Sequence, residues 1–187
     1  MRVIAGRAKG HRLAGPARGG ATRPTSDLVR GAIFSALASM GADLSRALDL
    51  YAGSGALGIE ALSRGAQRCD FVERDARACA SIRQNLSKTG FEGQGDVLCL
   101  PVERALPRLS GPYTLVLADP PYLPAGRHGA LEATATLELL AERGLVEAGR
   151  TTLVLEHSSR EEAPERLAGL TQVKTLRHGD SAVSVYR

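Results

Sequence analysis

The sequence predicts an α/β fold: a doubly wound, seven-stranded sheet with one antiparallel edge strand. Three observations lead there. From Arg46 onward, short apolar runs alternate with amphipathic stretches that close on glycine, as parallel strands and crossover helices do. A glycine-rich turn lies between the first strand and the next helix, where such sheets bind ligands. The last two apolar runs are separated only by Gly179-Asp180, too short a link for a crossover, so they form a reversed hairpin.

The elements follow in order. "RVIAG" and "HRLAG" flank "RAKG" and read as the strands of a basic β-hairpin arm over residues 1–22, with a larger domain over 23–187. In "RPTSDLVRGAIFSAL", Thr25 or Ser26 caps a helix on which Leu28, Val29, Ile33, Phe34 and Leu37 recur at helical spacing. "ALDLYA" is a strand and "ALGIEALSRG" a helix closed by Gly65. "RCDFVE" and "ARACASIRQNLSKTG" repeat the unit, closed by Gly90. "DVLCLP" is the third strand, followed by the short helical "ERALPRL". "YTLVLA" is the fourth strand, and "EATATLELLAERG" the helix that Gly144 ends. "TTLVLEH" is the fifth strand. "REEAPERLAG" is expected as a helix, and "QVKTLRH" and "SAVSVYR" as the closing hairpin.

Composition narrows the function. The chain has 187 residues, 43% apolar and 24% charged, ordinary values for one globular unit. No apolar stretch approaches the roughly 20 residues that span a bilayer, and the start lacks a signal-peptide pattern. The expectation is a cytoplasmic monomer without a membrane partner. Cys69, Cys79 and Cys99 show no CxxC spacing and read as small buried hydrophobes; His11, His128, His157 and His178 are scattered, so no metal site is expected. The net charge is +4, but residues 1–30 carry +6 and the remainder −2. Arg2, Arg7, Lys9, Arg12, Arg18, Arg23 and Arg30 supply that excess against Asp27. Such a segment suits phosphate contacts along a nucleic acid, with His11 alongside; composition fits a solvated tail equally well.

"DLYAGSGALG" carries Gly53, Gly55 and Gly58 in the G-x-G-x-x-G pattern, between a strand and a helix. Glycines there let the backbone turn tightly and approach a ligand. Glu73 ends the second strand twenty residues after Gly53, where an acid can accept hydrogen bonds from both hydroxyls of a ribose. A nicotinamide dinucleotide and S-adenosylmethionine both meet this description. Asp49 tips the balance towards the second, because a carboxylate before the loop holds an ammonium and repels a pyrophosphate.

"LVLADPPYLP" ends a strand buried on both faces with Asp119, Pro120, Pro121 and Tyr122. These types suit methylation of an exocyclic amine on a planar base. The Asp119 carboxylate accepts one N–H and the Pro120 carbonyl the other, which aims the nitrogen lone pair at the methyl donor. Tyr122 offers a ring for the base, and the prolines hold the acceptors rigid.

The chain resembles the RsmD family of 16S rRNA guanine-N2 methyltransferases almost from end to end. The likeness rests on "RVIAGRAKGHRL", "RPTSDLVRGAIFSAL", "LDLYAGSGALGIEALSRGA", "VERD", "DPPY" and "SAVSVYR". It implies a Rossmann-like class I methyltransferase fold, S-adenosylmethionine as cofactor, and small-subunit rRNA as partner, in an assembled or assembling subunit. It implies cofactor contacts from Asp49, Ala52, Gly53, Ser54, Gly55, Glu73, Arg74 and Asp119. Where the family often has an acid after the third strand, this chain has Pro101 and Val102, so adenine would meet apolar and backbone groups. Gly31 replaces the family's usual Glu and leaves Arg30 without that partner. Arg127 and His128 follow in the loop after Tyr122 and read first as solvated loop residues, with RNA contact for Arg127 and proton acceptance for His128 as the alternatives; Glu60 reads as a local salt-bridge partner. The alternatives are the same chemistry on adenine N6 or a protein glutamine, and a nonenzymatic rRNA-binding assembly factor.

Overall fold

The computed structural model of the chain describes residues 1–15, 26–121 and 130–187. Helix α1 (Asp27–Ser39) starts at Ser26, whose side chain accepts the Val29 amide. Strand β1 (Arg46–Leu50) leads into helix α2 (Ala56–Ser63), and β2 (Arg68–Glu73) into α3 (Ala76–Thr89). Asp75 caps α3 by accepting the amides of Arg77 and Ala78, and left-handed Gly90 ends it. Strand β3 (Gly95–Cys99) is followed by the one-turn α4 (Val102–Ala105) and a 3₁₀ turn over Leu106–Arg108. Strand β4 (Leu115–Ala118), helix α5 (Ala130–Glu142) and β5 (Thr152–Ser158) come next, then β6 (Arg166–Leu167), β7 (Leu170–His178) and β8 (Ser181–Tyr186).

The strands form one sheet in the order β3-β2-β1-β4-β5-β8-β7-β6. The first five are parallel in a doubly wound arrangement, with β1 beside β4 at the point where the winding reverses. Both faces are covered. Leu115 and Leu117 of β4 join the core beneath α1, α2 and α3, and Val116 and Ala118 join the core beneath α4 and α5. That is why the strand reads as an unbroken apolar run.

The C-terminal third departs from the expected seven strands. β8 lies between β5 and β7, antiparallel to both, so the reversed strand is internal to the sheet. The helix expected over "REEAPERLAG" is absent. Pro164 lacks an amide hydrogen and its ring would clash with a preceding turn, and its carbonyl instead accepts the Tyr186 hydroxyl at 3.0 Å. Ala168 and Gly169 both have positive φ, 52° and 75°, and make the two-residue turn that pairs β6 with β7. This extra β6 makes eight strands.

The expected N-terminal strands reduce to one antiparallel bridge between Arg2 and Arg12. Val3, Ala8 and Leu13 nonetheless enter the same core as Ile33, Phe34 and Ile59. The boundary expected between residues 22 and 23 lies outside the described residues. Cys69 and Cys79 are buried as expected, whereas Cys99 is exposed, because it ends β3 at the edge of the sheet. Among the described residues, no helix is long and apolar enough to cross a membrane.

Candidate functional site

Three adjacent parallel strands bring three carboxylates to one end of the sheet. Leu50 of β1 pairs with Val72 of β2 and with Ala118 of β4, so Tyr51, Glu73 and Asp119 follow in one row. Asp49 lies two residues before Tyr51, within β1. It is 1% exposed, and its Oδ2 accepts the Gly58 amide at 2.8 Å. Burial pushes the Asp49 carboxyl well above the usual range, opposed by the Gly58 hydrogen bond and reinforced by repulsion from Asp119 and Glu73. Asp119 and Glu73 therefore stand near enough to Asp49 for the three acids to act on one another at the switch point.

The glycine turn is built by backbone geometry. Tyr51 leaves β1 with φ of 59°, and Gly53 and Gly55 follow at 54° and 77°. The Ala52 amide donates to the Val72 carbonyl at 3.0 Å, and the Gly55 amide to the Ala52 carbonyl at 2.7 Å. A Cβ on Gly53 would meet nothing within 4 Å, so this residue borders open space. A Cβ on Gly58 would come within 2.3 Å of the Phe71 ring, so the third glycine serves close helix–sheet packing. Ala52, Ser54 and Gly55 are buried in the turn.

Glu73 clamps two loops together. Its Oε2 accepts the Gly53 amide at 2.9 Å, and its Oε1 accepts the Asp75 amide at 2.8 Å. Each carboxylate oxygen has a further lone pair, so a diol can still bond to the half-buried group. Arg74 beside it is exposed. After β3, Pro101 is exposed, while Val102 packs into the core with Leu50 and Val72 and presents little surface. At the end of β4, Asp119 and Pro121 are half-buried and Pro120 is buried. Tyr122, Arg127 and His128 lie outside the described residues.

The basic residues divide. Lys9, His11 and Arg12 are exposed. Arg7 is also exposed but engaged: its guanidinium stands 5.1 Å from the centre of the Phe91 ring and donates to the Leu62 carbonyl and Gln94 Oε1. Arg18 and Arg23 lie outside the described residues. Arg30 corrects an expectation. It is 0% exposed and donates to the Arg2 carbonyl at 2.5 Å and to Asp27 at 2.9 Å. Its charge is enclosed between α1 and the N-terminal segment and does not face a ligand, and Asp27 is the partner that Gly31 does not supply.

Two buried polar side chains near the site have partners that the sequence did not disclose. Glu60, expected to make only a local salt bridge, is fully buried and accepts the amides of Ile4 and Ala5 as well as Arg64 Nε. Asn85 is fully buried on α3 and bonds to both Ala14 and Ser54. A signal for Asn85 existed: a polar residue between Ile82 and Leu86 on the apolar stripe of α3.

The whole chain, residues 1–187, matches the model of the family described as Conserved hypothetical protein 95. It is 36% identical over 191 residues to the YlbH protein of Bacillus subtilis (strain 168), covering 100% of this chain and 98% of that one. It is 37% identical over 144 residues to ribosomal RNA small subunit methyltransferase D of Escherichia coli (strain K12), covering 77% of this chain and 68% of the relative. The solved structure of the yhhF protein from Escherichia coli superimposes with a TM-score of 0.82 at 28% identity, covering 100% of this chain and 96% of that one.

Proposed function

This chain belongs to the Conserved hypothetical protein 95 family, the RsmD family of methyltransferases, and from that premise we propose that it methylates the exocyclic N2 amine of a guanine in 16S rRNA. It uses S-adenosylmethionine, acts on the small ribosomal subunit, and works in the cytoplasm as a single chain. The observation that carries the reading is the group of three acids on adjacent strands at the switch point. Asp49, Glu73 and Asp119 converge on the glycine turn, and their mutual repulsion is relieved by a ligand bearing an ammonium and a sulfonium. A pyrophosphate would add to that repulsion, which disfavours a dinucleotide.

The bound cofactor supplies an electrophilic methyl group. Glu73, already fixed by the Gly53 and Asp75 amides, is pre-oriented to accept from the ribose hydroxyls. Pro101 offers apolar surface to adenine. Asp119 and the Pro120 carbonyl stand where β4 ends beside β1, and they hold the two hydrogens of the target amine so that its lone pair faces the methyl carbon. Tyr122 stacks on the base. Lys9, His11 and Arg12, with Arg18 and Arg23, contact the RNA backbone.

The test is methyl transfer from isotope-labelled S-adenosylmethionine to unmethylated small subunits and to naked 16S rRNA, followed by nucleoside mass spectrometry. Label in N2-methylguanosine is the expected result. Label in N6-methyladenosine or in protein glutamine would move the chemistry to another acceptor. Tight cofactor binding with no transfer to any acceptor would leave an assembly factor.

A further inference from the structure

Asn85 commits its amide oxygen and both amide hydrogens to two segments far apart in sequence. Its Oδ1 accepts the Ala14 amide at 2.7 Å. Its Nδ2 donates to the Ala14 carbonyl at 2.9 Å and to the Ser54 carbonyl at 3.0 Å. Ser54 stands between Gly53 and Gly55 in the turn at the proposed cofactor site. Ala14 lies two residues beyond exposed Arg12, which bridges to Arg2. A second contact joins the same two segments, from Ser54 Oγ to Met1 Sδ at 3.2 Å. The side chain is fully buried, so a shift of either segment strands a polar group away from water.

We propose that Asn85 is a positioning residue that couples RNA contact on the basic segment to the glycine turn, so that RNA and S-adenosylmethionine each strengthen the binding of the other. The inference rests on the proposed reading of Lys9 and Arg12 as RNA contacts. RNA that fixes residues 9–14 fixes the Ala14 backbone, which fixes the Asn85 amide and, through it, the Ser54 carbonyl. Ordering of the turn is then already in place when the cofactor arrives. The effect is reciprocal, as any equilibrium coupling must be.

The experiment measures S-adenosylhomocysteine affinity with and without saturating small-subunit RNA. In the parent chain, RNA should tighten that affinity by about fivefold or more, the lower range of allosteric coupling. Asn85→Leu keeps the branching at Cγ and removes all three bonds; Asn85→Asp keeps the size and the acceptor and removes both donors. Both should bring the ratio close to one, whatever they do to either affinity alone. In the parent, RNA should also slow hydrogen exchange at residues 53–55, a readout that needs no variant to fold. A ratio near one in the parent, an undiminished ratio in the Asn85 variants, or unchanged exchange overturns the coupling. Lys9→Ala with Arg12→Ala separates the two readings: lower RNA affinity upholds the basic surface, and unaltered RNA affinity overturns the surface and the coupling together.

Discussion

A single methyl group placed at two glycines of the same motif should have opposite kinds of effect. In Gly58→Ala, the new Cβ would lie 2.3 Å from Phe71 Cε1 and 2.7 Å from Cys69 Sγ. Carbon contacts settle near ~3.5–4.0 Å, so more than about 1 Å must be recovered. Phe71 and Cys69 are fully buried on β2, between β1 and β3, so α2 must lift instead. Overpacking of this depth costs towards the upper end of about 1–3 kcal/mol, and the better helix propensity of alanine returns about 1. The net loss is about 1–2 kcal/mol, and the lifted helix draws the Gly58 amide away from Asp49. In Gly53→Ala the Cβ meets nothing within 4 Å, and the positive φ of 54° costs about 1–2 kcal/mol. On the proposed reading of the turn as the cofactor site, the methyl takes space the cofactor would fill, so affinity should fall by about tenfold or more, equivalent to about 1.4 kcal/mol. Urea denaturation measures stability, and calorimetric titration with S-adenosylhomocysteine measures binding. Parental affinity in Gly53→Ala would refute the close approach of the cofactor to this turn.

Three further outcomes follow from the same geometry. Asp119→Ala should lower single-turnover methyl transfer at saturating cofactor by about 10²–10³, with Asp119→Asn between it and the parent, because only the amide keeps an acceptor oxygen; parental rates in Asp119→Ala would reduce the acid to a turn residue. Arg30→Met should destabilise the fold by about 1–3 kcal/mol through the lost bonds to Asp27 and the Arg2 carbonyl, while the salt dependence of RNA binding stays parental; a flattened salt slope would restore Arg30 as an RNA contact. Burial, with Asp119 and Glu73 nearby, raises the Asp49 carboxyl, so the folded chain holds that proton more tightly than the unfolded one. Stability should therefore fall as pH rises from the ordinary carboxylate range, about 4, through the raised value, while affinity for the cationic cofactor rises over the same window. Asp49→Asn should flatten both curves in denaturation and titration series, and parental slopes in that variant would assign the dependence to another group.

What the sequence disclosed depended on whether a residue's role is written in its neighbours. β4 was legible because a strand covered on both faces is apolar without alternation. Glu73 was legible because its spacing from the glycine turn is fixed by one helix and one strand. That both its oxygens already bind loop amides was not, since backbone partners leave no mark on residue type. The same reason hid Glu60, whose partners Ile4 and Ala5 lie 56 and 55 residues away. Arg30 misled because a basic residue in a basic segment reads as surface, and only the packing of α1 against the first residues encloses it. The expected helix over residues 160–169 gave too little weight to Pro164.

Composition left residues 1–30 poised between a nucleic-acid surface and a solvated tail, and for residues 1–15 Glu60 decides against the tail. A fully buried carboxylate is tolerable only when donors surround it, and here there are three: two amides at 2.7 and 3.1 Å, and Arg64 Nε at 2.7 Å. Undocking the segment would remove two of them, charge-assisted bonds worth about 1.5–3 kcal/mol each. Ser63 adds to the attachment: its carbonyl accepts the Arg7 amide at 2.8 Å and its hydroxyl accepts the Ala8 amide at 3.0 Å. Gly6 comes so near the Ser63 carbonyl that no side chain could replace its hydrogen, since a Cβ there would stand 1.9 Å from the oxygen. Glu60 and Ser63 belong to α2, the helix that begins at Gly55 of the glycine turn. Eight residues of helix span about 12 Å. Residues 4–8, Arg7 among them, are therefore held at one end of a short rod whose other end is the proposed cofactor site, while residues 9–14 reach that site through Asn85.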